Sequence, residues 1–256
     1  MNWKDKVVLL TGASSGIGEG LAIALAARGA VLGLLARREN LLTALAEKCQ
    51  SAGGTARVLS ADVTDADAVQ RAADDLRKEF GHIDILIANA GIGGNNKETR
   101  DLQPDAVKRV IDINLLGAGN SIYAVLPQMV ERGAGHLVAV SSLAGSRGLP
   151  KSAAYSASKA GMNAFFESVR LDVQHKGVDV TIIQPGFIRT PLTEGRTNNM
   201  PFLMELDDAV PHFIRAIEQK RTFAAFPWQL AAIVTAGKFM PSWLYDLVAG
   251  RARYRE

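Results

Sequence analysis

The chain has 256 residues, 48% of them hydrophobic, which is ample for the core of a single α/β domain. A formal net charge of +3 and an isoelectric point near 9.0 are only mildly basic, and Lys and Arg are dispersed among Asp and Glu, which argues against a nucleic-acid surface. The single cysteine, Cys49, has no partner for an internal disulfide, and neither it nor the four histidines (His82, His136, His175 and His212) show metal-ligand spacing, so no metal and a reducing compartment are expected.

The amino end leads straight into an apolar strand without the h-region and cleavage site of a signal peptide, and no uninterrupted apolar run reaches bilayer length; the expectation is a soluble, cytoplasmic protein. Val7 to Leu10 reads as a strand buried on both faces of a parallel sheet. It runs into Thr11-Gly12-Ala13-Ser14-Ser15-Gly16-Ile17-Gly18, then a helix from Glu19 to Arg28 that stops at Gly29. Glycines here let the backbone turn tightly and approach a pyrophosphate, held by amide donors and the positive helix end. The spacing is G-x-x-x-G-x-G rather than G-x-G-x-x-G, so it predicts a related nucleotide loop. At this point the sequence resembles the short-chain dehydrogenase/reductase family, whose signature is T-G-x-x-x-G-I-G. The resemblance implies a doubly wound, Rossmann-like α/β domain and a nicotinamide cofactor held by Gly12, Ser14, Ser15, Gly16, Ile17 and Gly18.

A second strand, Val31 to Leu35, ends in Ala36-Arg37-Arg38, before a helix from Glu39 toward Ala52. In nicotinamide-binding folds an acidic residue here bonds the ribose of NAD, whereas arginine accommodates the 2′-phosphate of NADP. Ala36 brings no carboxylate, and Arg37 and Arg38 bring two cations, so NADP(H) is expected over NAD(H); the alternative is that both are solvated surface charge. A third strand, Arg57 to Ala61, precedes Asp62-Val63, and Thr64 with Asp67 forms a capping-box-like start to a helix running to Phe80. By resemblance Asp62 and Val63 meet the adenine; equally, Asp62 merely caps the next helix. The fourth strand, Ile83 to Ala88, delivers Asn89-Ala90-Gly91, which resembles the family's N-N-A-G motif with Ala88 in place of the first asparagine.

Beyond a polar loop at 94–97, a helical stretch from Pro104 to near Val130 contains Asn114, which is costly to bury unless it bonds something. The resemblance gives Asn114 a bend in the helix and a water connected to the catalytic lysine. Gly117 and Gly119 suit close helix packing, and the resemblance implies that this helix and the next form a dimer face. The fifth strand, His136 to Val140, ends at Ser141-Ser142, in the crevice where open parallel sheets bind ligands.

Tyr155 and Lys159 stand four residues apart in a helix from Ala153 to His175 and so share a face. An ammonium ~4 Å from a phenol, at an effective dielectric of ~20, favours the phenolate by ~4 kcal/mol, or up to roughly three pKa units. The resemblance makes Tyr155 the proton donor, Lys159 its activator and a ribose ligand, and Ser142, thirteen residues before Tyr155, the holder of the substrate oxygen. A sixth strand, Asp179 to Gln184, leads to Pro185-Gly186-Phe187-Ile188-Arg189-Thr190, similar to the family's P-G-x-x-x-T segment beside the nicotinamide; Pro185, Gly186, Ile188 and Thr190 are the expected cofactor contacts.

Residues 187–205 read as a mobile lid whose apolar members, Phe187, Leu192, Phe202 and Leu203, face the substrate, joined by Trp228. A strand from Thr222 to Phe226 closes the domain at residue 226. The extension at 227–256 is apolar and helical, too short and broken to span a bilayer. Either it covers the substrate pocket or a neighbouring subunit, the favoured case, or its Trp228, Trp243, Lys238, Arg251, Arg253 and Arg255 meet a membrane surface. The expected function is NADPH-dependent reduction of an apolar or amphipathic carbonyl, or the reverse, by a homo-oligomer, dimer or tetramer. The rivals are a 3-oxoacyl thioester reductase and an NADPH-binding sensor or scaffold without catalysis.

Overall fold

A computed structural model describes residues 1–93, 102–194 and 200–251. Seven parallel strands form one sheet in the order β3-β2-β1-β4-β5-β6-β7: β1 Val7–Thr11, β2 Val31–Ala36, β3 Thr55–Ser60, β4 Ile85–Ala88, β5 Gly135–Val140, β6 Val178–Pro185 and β7 Phe223–Phe226. Alternate residues of β1 feed opposite faces, and each face is covered by helices. Val8 and Leu10 join the core under α1 (Gly16–Ala26), α2 (Glu39–Ser51) and α7 (Leu206–Glu218), whereas Val7 and Leu9 join that under α3 (Ala66–Phe80), α5 (Gly117–Arg132) and α6 (Ala153–Val173). Phe213 anchors the first layer and Phe166 the second; both are fully buried, each contributing about 1.5–3 kcal/mol by leaving water. This is the doubly wound fold expected. The sheet reverses its winding between β1 and β4, and that switch point opens a crevice beyond the carboxyl ends of the strands.

At the opposite, amino edge, Asp84 knits the sheet together. Its carboxylate accepts from the Val7 amide (3.0 Å) and Lys6 Nζ (3.2 Å), with Arg132 at 3.7 Å. Burial works to raise its pKa, but the Val7 amide and Lys6 outweigh it and hold the carboxyl below its usual range.

Several boundaries differ from expectation for local reasons. Helix α1 begins at Gly16, earlier than Glu19, because the turn is completed by a left-handed Gly16 (φ +58°). The cap of α3 is Asp65, whose carboxylate accepts the Ala68 amide at 2.9 Å, not Thr64 paired with Asp67; Thr64 instead donates its amide and hydroxyl to Asp62. The long helix is α4 (Pro104–Ile111) and α5 joined by a π turn at Asp112–Leu116, centred on Asn114. By length and apolarity alone Pro104–Arg132 is enough to cross a membrane, but it packs within the domain against α3 and α6. Helix α7 was not legible, since Pro211 inside it signals a break. His136 is a packing residue, consistent with its lack of metal-ligand spacing: it is buried on β5, bonded to Thr181 of β6 at 2.8 Å, and burial lowers its pKa to about 4.

Candidate active site

The glycine turn is held by its neighbours. Thr11 Oγ1 accepts the amides of Asn89 and Ala90, both at 3.1 Å, while Asn89 Nδ2 donates to the carbonyls of Thr11 (3.0 Å) and Gly12 (3.1 Å). A Cβ on Gly12 would lie 2.6 Å from Ala90 Cα, and Gly12 has φ +66°, so only glycine lets the loop press onto the end of β4. Gly18 corrects the expectation of a cofactor contact. It packs behind the turn, where a Cβ would sit 2.3 Å from the Gly12 carbonyl oxygen, and it does not line the cleft. The Ala88 substitution leaves this bonding intact, because Asn89 carries it.

Arg37 and Arg38 reach the cleft from the end of β2. Arg38 Nη2 donates to the hydroxyl oxygens of Ser14 and Ser15, each at 2.9 Å, and Arg37 Nη1 stands 3.5 Å from Asp62 Oδ2. Burial tends to raise the pKa of Asp62, but the Thr64 amide and hydroxyl and the Arg37 guanidinium together lower it. Asp62 therefore shapes the loop after β3 and orients Arg37 without capping α3.

Tyr155 and Lys159 occupy the first turns of α6 and border the cleft, and Ser142 faces them from the end of β5. Lys159 is only 4% exposed; its Nζ donates to the Val140 carbonyl at 2.8 Å and stands 6.0 Å from the Tyr155 ring centre. Burial lowers its pKa to about 8. Ser142 Oγ accepts the Ala144 amide at 3.1 Å. Asn114 is fully buried and outside the cleft lining. Its Oδ1 accepts the Ile92 amide at 2.8 Å and its Nδ2 donates to the Ile92 carbonyl and to Ser158 Oγ, each at 3.0 Å, which explains how the π turn tolerates a buried amide. Gly117 is close-packed as expected, but on Val63 rather than on another helix, while Gly119 faces Phe165 of α6.

These groups surround one cleft of about 800 Å³. Its lining includes Gly12, Ser14, Ser15, Gly16, Ile17, Arg37, Arg38, Asp62, Val63, Asn89, Ala90 and Gly91 on one side, and Pro185, Gly186, Phe187, Ile188, Thr190 and Leu192 on another. Every expected catalytic and cofactor contact apart from Gly18 and Asn114 is thus brought together, as are Phe187 and Leu192 of the expected substrate contacts. Residues 195–199 of the expected lid lie outside the described residues. The lid's two ends are tied: the Met204 amide donates to the Phe187 carbonyl and the Arg189 amide to the Met204 carbonyl, and Arg189 Nε bonds Glu205 at 2.8 Å. Phe202 and Leu203 do not line the cleft; Met200 and Pro201 do.

The extension forms α8 (Trp228–Phe239) and α9 (Ser242–Arg251), and Leu230, Val234, Gly237, Met240 and Tyr245 wall the cleft. Trp228 corrects its assignment: it points outward, 73% exposed, because Leu230 takes the inner face. Gly186 permits this approach, since a Cβ there would meet Leu230 at 2.7 Å. Sequence reasoning missed the fastening of the hairpin. Arg147 Nη1 donates to the carbonyls of Gly237 (2.6 Å) and Met240 (2.7 Å), its guanidinium lies 3.7 Å from the centre of the Tyr245 ring, and the Tyr245 hydroxyl donates to the Gly148 carbonyl at 2.6 Å. No motif announces a pairing across some ninety residues.

Residues 6–201 match the family model described as short chain dehydrogenase. The chain belongs to the short chain dehydrogenase family. It is 47% identical over 248 residues to an uncharacterized oxidoreductase of Myxococcus xanthus, covering 97% of this chain and 98% of that one. It is also 38% identical over 196 residues to dehydrogenase/reductase SDR family member 7B of Bos taurus, covering 74% of this chain and 60% of the relative. Among solved structures, a short-chain type dehydrogenase/reductase from Mycobacterium marinum superposes with TM-score 0.82 at 25% identity, covering 88% of this chain and 95% of that one. A 3-ketoacyl-ACP reductase from Sinorhizobium meliloti gives 0.78 at 31% identity, covering 86% and 96%. As a short chain dehydrogenase the protein is an NAD(P)-dependent oxidoreductase, and the sensor or scaffold without catalysis considered from sequence gives way to an enzyme. The cleft fits such a dinucleotide. Its turn presents glycine backbone that a side chain would obstruct, Ser14 and Ser15 supply hydroxyls, and the opening of α1 supplies the positive end of a helix.

Proposed function

We propose that this short chain dehydrogenase uses NADP(H) in preference to NAD(H) to interconvert an apolar or amphipathic ketone or aldehyde and its alcohol. The observation that carries this is a single cleft holding Ser142, Tyr155 and Lys159 against apolar walls from Phe187, Leu192, Leu230 and Val234, with two guanidiniums and no carboxylate at the end of β2. NADPH, when bound, supplies the hydride that reaches the carbonyl carbon.

Ser142 accepts a bond from the Ala144 amide, which leaves its own hydroxyl proton to donate to the substrate oxygen. Tyr155 hands its proton to that oxygen as charge develops there. Lys159 is oriented by the Val140 carbonyl and Met162 Sδ, and its positive charge favours the phenolate that Tyr155 leaves behind. Beside Gly91, the site a Cβ would occupy is 3.3 Å from Asn114 Oδ1 and 3.6 Å from Lys159 Nζ. That shared space supports a relay water held by Asn114, returning a proton through Lys159. At the other end, Arg38 is oriented by two serines and Arg37 by Asp62 to meet a 2′-phosphate.

The reading is tested by NADPH and NADH consumption over a panel of hydrophobic ketones, aldehydes and 3-oxoacyl thioesters. NADPH should be preferred, Tyr155→Phe should bind it and turn nothing over, and Arg38→Leu should weaken NADPH binding about 10- to 150-fold, the range for one charge-assisted bond, without affecting NADH. Equal use of both cofactors, or turnover by Tyr155→Phe, would refute it. A second reading, a 3-oxoacyl thioester reductase, draws on the likeness to the Sinorhizobium meliloti structure; thioester turnover well above that of simple ketones would select it. The exposed Leu116, Tyr123, Phe165 and Leu171, all near or on α5 and α6, support a homodimer through that face.

A further inference from the structure

Helix α8 carries one charged residue, Lys238, between Trp228 and Phe239 and is otherwise apolar or neutral around its circumference. Such a helix is ordinarily covered on all sides. Here Leu230 and Val234 turn into the cleft, whereas Trp228, Ala232, Thr235, Ala236 and Phe239 recur at helical spacing along an outer stripe and are exposed. Trp228 is 73% exposed, Phe239 80% and Trp243, at the start of α9, 71%. We propose that this outer face of α8 and α9 docks on the surface of an anionic bilayer, with the mouth of the cleft turned to the lipid.

Four observations favour that occupant. The exposed side chains are indoles and a phenyl ring next to an ammonium, the composition that settles at a headgroup boundary. The sequence of this segment is basic: residues 228–256 contain Lys238, Arg251, Arg253 and Arg255 against Asp246 and Glu256, with residues 252–256 and the Arg251 side chain outside the described part of the structure. The 12-residue α8 and 10-residue α9 are far too short to cross a bilayer at about 1.5 Å per residue, so they lie in its plane. Finally, Ile233 (59% exposed) and Val248 (52% exposed) belong both to this face and to the cleft lining, so the apolar surface runs without interruption into the cleft. A second copy of the chain seated on the same face would stand over that mouth. Arg147 and Tyr245 pin the hairpin with its aromatic side chains outward, so little ordering is left to do on docking. Entry of substrate from the lipid rests on the carbonyl reading above; docking does not.

The test is flotation of the whole protein with vesicles of phosphatidylcholine alone and of equal parts phosphatidylcholine and phosphatidylserine, followed by tryptophan emission. Trp3 is buried, so a shift reports Trp228 and Trp243. Binding to the mixed vesicles, a blue shift, and weakening with salt are expected. The triple variant Trp228→Ser/Phe239→Ser/Trp243→Ser should lose at least tenfold in binding while keeping the circular dichroism spectrum and thermal midpoint of the parent. The proposal is overturned if the parent floats with neither vesicle, or if the folded triple variant floats equally well. It is also overturned if light scattering shows an oligomer that the triple variant dissolves while vesicles bind neither form, which would make the face a subunit contact.

Discussion

Replacing Arg147 by methionine keeps an unbranched stem in the same volume and removes the guanidinium that fastens α8 and α9 to the loop after Ser142. Two N–H···O bonds of 2.6 and 2.7 Å are lost, and with them the contact 3.7 Å above the Tyr245 ring. A charge-assisted bond contributes about 1.5–3 kcal/mol and a cation over an aromatic ring about 0.5–1 kcal/mol at a partly exposed site. Both bonds share one half-buried nitrogen, so the lower end applies and the hairpin should lose about 2–3 kcal/mol of local stability. In native-state hydrogen exchange, amide protection in α8 and α9 should fall about 30- to 150-fold, with β1 and β4 unchanged, because the hairpin then opens as its own unit. Tyr245→Phe, which gives up a single neutral bond to Gly148, should show a tenfold effect at most, near ~1 kcal/mol. For an apolar ketone the KM should rise with the affinity for NADPH unchanged. Undiminished protection of the hairpin would refute the fastening; loss spread evenly over the sheet would mean that Arg147 supports the fold rather than the wall of the cleft.

Lys159→Met should abolish turnover yet raise the stability of the cofactor-free protein. The folded-state pKa is lowered by burial from 10.5 to about 8, so below pH 8 the folded protein holds a charge that the unfolded chain would carry more cheaply. The deficit is about 3 kcal/mol at most; allowing for the orphaned Val140 carbonyl, urea denaturation at pH 7 should show a gain of about 1–2 kcal/mol, and a loss would contradict the burial argument. His136 has its folded-state pKa lowered from 6.5 to about 4, chiefly by burial, so its contribution is complete above pH 6.5 and drains away as the pH falls toward 4. At pH 4.5 it should have cost about 2–3 kcal/mol, and His136→Gln should flatten that part of the profile; an unchanged slope would exonerate the histidine. Tyr123→Glu, placing a charge on the exposed α5 and α6 surface, should shift light scattering from dimer to monomer, whereas a monomeric parent would remove that assignment.

Strands were the most readable part of the chain, because β1, β2 and β5 are continuous apolar runs with hardly any exposed position, and their C-terminal ends necessarily carry the ligand crevice. Thr11 to Gly18, Asn89 to Gly91, Ser142, Tyr155 and Lys159 could be ordered from spacing and resemblance, but their division of labour could not. Gly18 and Asn114 act from behind the cleft, through the Gly12 carbonyl and the Ile92 backbone, and nothing in a local pattern distinguishes a residue that lines a cavity from one that braces its lining. Trp228 was misplaced because α8 is apolar on both sides, so periodicity gives no inner face. Asp65 won the cap from Thr64 because Asp62 had already engaged the threonine. Arg147 and Tyr245 meet only through the tertiary fold.

The ion-paired amino edge of the sheet, gathered on Asp84, lies across the sheet from everything that forms the cleft. A surface attachment made there, through His82 for instance, which is 46% exposed beside Asp84, would leave the mouth of the cleft facing outward. An immobilised or tethered preparation could therefore be oriented by choice of edge. Coupling at the amino edge should give a layer in which each molecule presents the same open face, while coupling through α8 or α9 would bury it.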